Sequence, residues 1–316
     1  MLADRNAMAA IAPPFSPSAP PPAARWLRRL ALALPFAGLL LTGLFIWRAE
    51  AAHAALRDTT IAQASDRAQQ LAAAKALQIE GLLSAADLAL RQFRDQVLQG
   101  NPAEVEAAVR RVAEVLPDGA IVHFGLADAR GRLVYPPAAS QGGVAPDLSG
   151  RTDFRAHAAS VEDRLVVQPV LMTPRGGQWV LPLSRPLRRD GRFDGIVLLA
   201  LSPAFLADAL ARQQVSTQDA ITLIHADASY IARNAALDKV LGRSAPTSWP
   251  LLRPDAPSQG RARDTSVIDG RSRIYAWYRL DRLPLFIAVG FDEANVLAPA
   301  LAQQRRARLR MATLAP

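Results

Sequence analysis

The sequence of 316 residues has no cysteine and only two lysines, at positions 75 and 239, although its net charge is +9. Without cysteine the chain has no disulfide, no thiolate metal ligand and no thiol nucleophile. Its positive charge comes from arginines scattered along the whole sequence, unlike the clustered basic surface of a nucleic-acid-binding protein. We therefore predict no nucleic-acid partner, and we expect the basic surface to lie near anionic lipid headgroups.

The short motifs that carry catalysis are also missing. The sequence has no G-x-S-x-G elbow, no P-loop, no H-E-x-x-H helix and no Rossmann glycine motif. None of its histidines lies at helical or hairpin metal-ligand spacing from another: His53, His123, His157 and His225. The sequence therefore predicts no enzyme, no metal site and no cofactor, and we interpret His123 and His225 as ordinary strand residues.

One long hydrophobic run stands near the N-terminus, from Leu30 to Trp47, and contains no charge. At about 1.5 Å per residue, a helix of this length nearly crosses a hydrocarbon core of about 30 Å. Positive charge before a span favours a cytoplasmic N-terminus, and tryptophan suits both interfaces. We predict a transmembrane helix over 25–48, flanked by Arg25, Trp26, Arg28, Arg29 and Trp47.

A cleaved signal peptide is the alternative interpretation, because Ala49-Glu50-Ala51 has the small-residue pattern of a cleavage site. The apolar run is longer than most signal peptides have, and a long segment precedes it, so we favour a retained anchor. Residues 1–24 contain a proline-rich run and are expected to form a disordered cytoplasmic tail.

A long helix, the spine helix, is predicted over 49–100, where only Gly81 interrupts a helix-favouring composition. Steps of three or four residues define one seam, and only Lys75 breaks its apolar character. The seam either packs on a globular domain or pairs with a second copy, and we expect both along different stretches. Its members are Ile61, Ala64, Ala68, Leu71, Lys75, Ile79, Leu83, Ala86, Leu90, Phe93 and Val97.

After the spine helix, Asn101-Pro102 predicts the start of a second helix, with Val105, Val109, Val112 and Leu116 on one face. The order strand, turn, strand, strand, helix then occurs twice, and repetition of this kind sets architecture. We predict an α+β protein with two antiparallel-sheet modules over 101–212 and 213–300, and a further helix over 301–316. The predicted strands are at 120–126, 133–135, 164–172, 178–187, 196–201, 221–224, 272–280 and 285–291, with one more that the turn at 268–271 joins to 272–280. The predicted helices are at 154–159 and 203–211, and another begins at Asp292.

The element order and three segments resemble the double Cache sensor domain of bacterial membrane receptors. The segment RTDFRAH at 151–157 is similar to the family stretch DRxYFRxH. The segments QWVLPLSRPL at 178–187 and GRFDGIV at 191–197 are similar to GxWxIxLSRxL and DGxFxGVV. The resemblance covers about 49–300 and implies two stacked PAS-like sheets on one long helix, the first sheet being membrane-distal.

The resemblance also implies a ligand pocket in the distal module. An anionic or zwitterionic small metabolite suits its arginines, whose planar forks bind carboxylates. Alternatively, Arg155 and Arg185 hold loops by pairing with Asp153, Asp163 or Asp194. Asp153 replaces the family tyrosine, and the fuller residue set of amino-acid-sensing members is not evident, so amino-acid binding is not supported. The candidates are Arg151, Asp153, Phe154, Arg155, His157, Trp179, Ser184 and Arg185.

Family members are input halves of receptors, and this chain carries no cyclase or kinase motif of its own. We therefore expect a small-molecule sensing domain, single-pass in a bacterial inner membrane and mostly periplasmic, that forms a homodimer through the spine helix. The distal motifs are most similar to the diguanylate-cyclase branch, and the helix over 301–316 leads towards a second membrane segment that is absent here. The alternatives are the sensor half of a histidine kinase or chemoreceptor, and a periplasmic protein-binding scaffold.

Overall fold

The computed structural model describes residues 22–99, 106–107, 109–111, 116–136, 145–173, 177–212 and 216–314, with side chains between 33 and 309. The helices are α1 (Pro22–Gln99), α2 (Thr152–Ala159), α3 (Pro203–Ala211) and α4 (Glu293–Leu314). Short 3₁₀ helices cover Leu237–Lys239 and Pro250–Leu252. The strands are β1 (Ile121–Asp128), β2 (Leu133–Tyr135), β3 (Val166–Val167), β4 (Leu171–Met172), β5 (Trp179–Arg189), β6 (Arg192–Leu201), β7 (Ala220–His225), β8 (Tyr230–Arg233), β9 (Gln259–Thr265), β10 (Ser272–Arg279) and β11 (Leu285–Asp292).

The strands form two antiparallel sheets with the same arrangement. The first sheet has the order β2-β1-β6-β5-β3, with β4 also pairing with β5, and the second has the order β8-β7-β11-β10-β9. In each sheet the opening hairpin forms one edge and the last strand returns to pair with its first member. The predicted α+β class, with a long N-terminal helix followed by two antiparallel sheets, is confirmed.

The chain separates into two compact units, residues 1–56 and 57–316. In the first unit α1 continues through Pro35, and its apolar side chains, such as Phe36 at 72% exposure, are not covered. Among the described residues, α1 supplies the one stretch that is long and apolar enough to cross a membrane, a test that a signal sequence also passes. Residues 22–24 of the predicted disordered tail belong to α1, and the rest of that tail lies outside the described residues.

In the second unit, the predicted seam of α1 packs against both sheets. Its residues from Ala64 to Val97 are buried, except for the partly buried Leu71. Its apolar members pack in one cluster with the inner faces of the sheets. Leu183 and Leu199 of the first sheet belong to this cluster, as do Leu223 and Ile287 of the second sheet. The core-packing interpretation therefore accounts for the seam, and pairing with a second copy would need another face of α1.

Lys75, the polar member of the seam, has a defined role at the end of α3. Its ammonium donates hydrogen bonds to the carbonyls of Ala209 (3.1 Å) and Arg212 (2.5 Å) and to the side chain of Gln78 (3.1 Å). A cation at a helix C-terminus complements the helix dipole and the unpaired carbonyls there. Burial lowers the pKa of Lys75. The residue thereby attaches α1 to the helix that connects the two sheets.

Most predicted elements match the structure to within a few residues. The side chain of Ser202 accepts a hydrogen bond from the backbone N–H of Phe205, so the predicted cap of α3 is confirmed. Strand β8 was not predicted, because its four residues lack a clear alternating pattern. The helix predicted after Asn101-Pro102 lies largely outside the described residues, of which 106–107 and 109–111 are helical.

Candidate functional site

The candidate site lies on the outer face of the first sheet, the face turned away from α1. Side chains on a strand alternate between faces, so Leu183 and Arg185 face α1 whereas Ser184 faces outward. Helix α2 covers part of this outer face through Phe154, whose ring meets that of Phe193 edge-on at 5.3 Å. The site therefore consists of α2 and the strand residues beneath it.

Under α2 lies a fully buried polar cluster of three predicted site residues. Asp153, His157 and Ser184 are at most 1% exposed, and the imidazole Nε2 of His157 lies 3.0 Å from the hydroxyl of Ser184. The guanidinium of Arg151 donates two hydrogen bonds to the Asp153 carboxylate, at 2.9 and 2.7 Å. The backbone N–H of Phe154 donates a third. Asp153 is therefore well paired inside the protein, and its main role is to hold Arg151.

The protonation states in this cluster follow from burial and pairing. Burial alone would raise the pKa of Asp153, but its hydrogen bonds and charge interaction with Arg151 outweigh that effect and hold the pKa below its usual value. Burial lowers the pKa of His157, more than the neighbouring Asp153 raises it. At neutral pH the cluster therefore contains a carboxylate, a guanidinium and a neutral imidazole.

Beside this cluster the outer face carries two arginines and a histidine that reach solvent. Arg155 is exposed on α2, one helical turn after Arg151, and its backbone N–H donates to the Arg151 carbonyl at 3.1 Å. His123 of β1 is solvent-accessible on the same face of the sheet, and desolvation together with the Arg151 guanidinium lowers its pKa. Sequence reasoning did not select His123, although strand alternation places it opposite the core residue Phe124. Arg151, Arg155 and His123 can together receive a small anionic group.

The structure does not bring Arg185 to this outer-face site. Its guanidinium faces α1 and donates to Asp87 (3.0 Å between Nη2 and Oδ2) and to Asp163 (2.6 Å). Arg94 pairs with the same Asp163 at 2.7 Å. The alternative given by the sequence, in which this arginine holds a loop through Asp163, describes its contacts.

Trp179 also lies away from the site, at the beginning of β5. Gly242 belongs to the module of the second sheet. A Cβ built on Gly242 would lie 2.6 Å from the Trp179 indole Cη2. The indole therefore packs on the Gly242 backbone. Trp179 forms part of the contact between the two sheet modules.

A groove of about 930 Å³ runs along α1 on the opposite side of the first sheet. Its walls include Asp87 and Arg91 of α1, Arg164 after α2, and Arg282 from the loop before β11. These charges are of both signs, and several already form ion pairs. Within the described ranges, no three histidine, aspartate or glutamate side chains are placed to hold a metal ion.

Comparison with known proteins gives similarity at the level of structure. No protein-family model matches the sequence, and no curated protein matches it either. The extracellular domain of rpHK1S-Z16, described as a histidine kinase, aligns with a TM-score of 0.65 and 24% identity, over 75% of this chain and 97% of that domain.

Two chemoreceptor domains are similar as well. The ligand-binding domain of Pseudomonas fluorescens CtaA, solved with L-isoleucine, has a TM-score of 0.59 and 17% identity over 77% of this chain and 98% of that one. The ligand-binding domain of the Pseudomonas aeruginosa amino-acid chemoreceptor PctC, solved with GABA, has a TM-score of 0.55 and 16% identity. The alignment covers 72% of this chain and 100% of that domain. At these identities the similarity shows that the chain shares the fold of these extracellular domains.

Proposed function

We propose that this chain is the extracytoplasmic, small-molecule-sensing part of a membrane-bound signal-transduction receptor. The fold carries the proposal, because two sheets on one long helix are what this chain shares with extracellular domains of a histidine kinase and of chemoreceptors. The apolar stretch of α1 supports a single-pass anchor, and the arginines before it support a periplasmic sensing domain at a bacterial inner membrane.

The ligand in this proposal is an anionic or zwitterionic metabolite that binds on the outer face of the first sheet. Arg151 is fixed by Asp153, so its guanidinium is oriented before a ligand arrives, and Arg155 and His123 are accessible beside it. The ligands in the similar chemoreceptor structures, L-isoleucine and GABA, each carry a carboxylate. A carboxylate between Arg151 and Arg155 is the contact that these observations support.

Replacing Arg155 by alanine is the test of this ligand site. The full chain in lipid nanodiscs is screened by thermal shift with amino acids, organic acids and amines, and each hit is measured by titration calorimetry. Because a hydrogen bond to a charged group is worth about 1.5–3 kcal/mol, we expect Arg155→Ala to weaken binding at least about tenfold without changing the melting temperature of the free protein.

Arg192→Ala is the matched control, since Arg192 is exposed at the tip of the β5–β6 hairpin of the same sheet. Equal affinity for the hit in Arg155→Ala and in the wild type would contradict the proposed site. A panel that yields no hit carrying a carboxylate or another anionic group would contradict the proposed ligand class.

The type of output domain that this receptor would control is a separate proposal. The similarity of segments 151–157 and 178–197 to the cyclase branch of the double Cache family supports a diguanylate cyclase. The alternative, a histidine kinase or a chemoreceptor, is supported by the classes of the similar structures.

We also propose that α1 mediates a homodimer through the face opposite its buried seam. Leu77 and Leu88 are 70% and 52% exposed there, and nothing lies within 4 Å of a Cβ built on Gly81 between them. Residues 77, 81, 84 and 88 repeat at heptad spacing. We expect Leu77→Glu with Leu88→Glu to convert a dimer to a monomer in analytical ultracentrifugation. Val161→Glu, at a still more exposed apolar residue outside α1, is expected to leave the dimer intact. A wild-type monomer, or a dimer unaffected by both changes, would refute this interface.

A further inference from the structure

Helix α4 is firmly attached to the second sheet at its beginning. The side chain of Asp292 accepts a hydrogen bond from the backbone N–H of Asn295 at 3.0 Å and so caps the helix. The carboxylate of Glu293 accepts hydrogen bonds from Nε of Arg263 at 3.2 Å and from the hydroxyl of Ser272 at 3.1 Å. These contacts hold the first turn of α4 against strands β9 and β10.

The later turns of α4 are exposed and basic. The segment 294–316 contains four arginines and no aspartate or glutamate. Residues three and four apart share one face of a helix, and on one such face of α4 three arginines lie between two leucines. This face, the basic face of α4, consists of Leu301, Arg305, Arg306, Arg308 and Leu309, all of them exposed. Its two leucines are 56% and 62% exposed.

Arginines and leucines on one exposed face suit the two layers of a membrane surface. A guanidinium binds phosphate oxygens through two hydrogen bonds, whereas a leucine side chain enters the apolar layer beneath the headgroups. Basic clusters on a helix of this kind are attracted to anionic lipid. A nucleic acid would pair with the arginines but would leave both leucines in water. The composition of the basic face therefore favours a lipid surface.

The attachment of α4 to α1 also favours a membrane. Oε1 of Glu293 lies 3.8 Å from Nη2 of Arg57, and both residues belong to the second unit. Arg57 follows the apolar stretch of α1 that ends at Trp47. At about 1.5 Å per residue, the helical segments 47–57 and 293–305 are each about 15–18 Å long. If the apolar stretch crosses a bilayer, α4 is therefore long enough for its arginines to reach the headgroups.

We propose that the basic face of α4 binds the anionic lipid headgroups of the bilayer in which α1 is anchored. The arginines contact headgroup phosphates, and Leu301 and Leu309 enter the layer beneath them. This proposal rests on the membrane anchor proposed above and is independent of the ligand site on the first sheet. Because the first turn of α4 is bonded to β9 and β10, lipid binding would connect the second sheet to the membrane surface.

A fluorescent label on α4 tests the proposal, and the absence of native cysteine makes a single introduced cysteine unique. Ala302→Cys carries the dye one helical turn before Arg306, and the full chain is placed in phosphatidylcholine nanodiscs with and without phosphatidylglycerol. A lipid with a nitroxide on its headgroup quenches the dye when α4 approaches the surface. We expect stronger quenching with phosphatidylglycerol, and a loss of this difference at high salt, which screens exposed charges.

The double variant Arg305→Gln with Arg306→Gln removes two charges from the basic face. Because each arginine near an anionic surface favours binding about fivefold, we expect the ratio of membrane-bound to free α4 to fall about 25-fold. Arg305→Lys with Arg306→Lys keeps both charges and is expected to keep most of the quenching. The matched control is Arg130→Gln with Arg132→Gln, which removes the same charge from exposed residues between β1 and β2.

Equal quenching in the two bilayers, or equal losses in the glutamine variant of α4 and in the control, would overturn the proposal. An oligonucleotide that binds through Arg305 and Arg306, with no difference between the bilayers, would assign the basic face to nucleic acid instead. A chain that does not assemble into nanodiscs would contradict the membrane anchor as well. An anchored chain without lipid preference would contradict only the binding by α4.

Discussion

Replacing Arg185 by alanine is expected to lower the free energy of unfolding by about 3–5 kcal/mol, the usual cost of removing one partner of a buried ion pair. The side chain of Arg185 is 6% exposed and that of Asp87 is 13% exposed, so the variant leaves a largely buried carboxylate without its cation. Asp163 is half exposed and contributes less, because solvent screens its charge. Urea unfolding followed by circular dichroism measures the change.

The matched control for this prediction is Arg189→Ala on the same strand. Arg189 pairs with Asp194 at 3.2 Å, but both side chains are more than 40% exposed, and such pairs contribute at most about 1 kcal/mol. The double variant Arg185→Leu with Asp87→Leu removes both charges and is expected to recover much of the lost stability. A loss no larger than that of the control would mean that this ion pair does not connect the first sheet to α1.

This ion pair has a consequence for signalling in the proposed receptor. Ser184 and Arg185 are neighbours on β5, so one residue faces the buried cluster under α2 and the next holds Asp87 on α1. A ligand that shifts α2 or β5 would therefore act on α1 through Arg185. A coupling of about 1–3 kcal/mol is enough for a useful bias between two receptor states.

The fold was largely predictable because its signals are local. Steps of three and four residues marked the buried side of α1, and the turn residues after each strand marked most sheet boundaries. Lys75 illustrates the limit of this reasoning, since the sequence shows a charge in an apolar seam but not the carbonyls of Ala209 and Arg212 that receive its hydrogen bonds. Contacts between residues far apart in sequence leave no local pattern.

The candidate site was predictable only in part, for the same reason. Segment 151–157 forms one continuous helix, so Asp153 and His157 could be placed together from the sequence. Which face of β5 carries Arg185, and which residue Trp179 packs on, depend on how elements that are distant in sequence pack together. Similarity to a short motif does not reveal that packing. His123 was interpreted as an ordinary strand residue, because an isolated histidine in a strand has no spacing signal.

Gly242→Ala is expected to destabilise the protein by about 2–5 kcal/mol, through two separate costs. Gly242 has φ +75, a region that costs an L-residue about 1–2 kcal/mol. The added methyl group would also lie 2.6 Å from the indole of Trp179, and relieving such an overlap costs about 1–3 kcal/mol. Thermal and urea unfolding of the full chain measure the sum.

Gly191→Ala separates these two costs, because Gly191 has φ +77 but no atom within 4 Å of a built Cβ. We expect it to show the backbone cost alone, so that the difference between the two variants reports the contact of Gly242 with Trp179. Trp179→Phe in the Gly242→Ala background is expected to recover part of that difference, because the smaller ring leaves space for the methyl group. Equal losses in Gly242→Ala and Gly191→Ala would show that the two sheet modules do not meet at this tryptophan. The residue would then be available to a ligand, as its resemblance to the sensor motif first suggested.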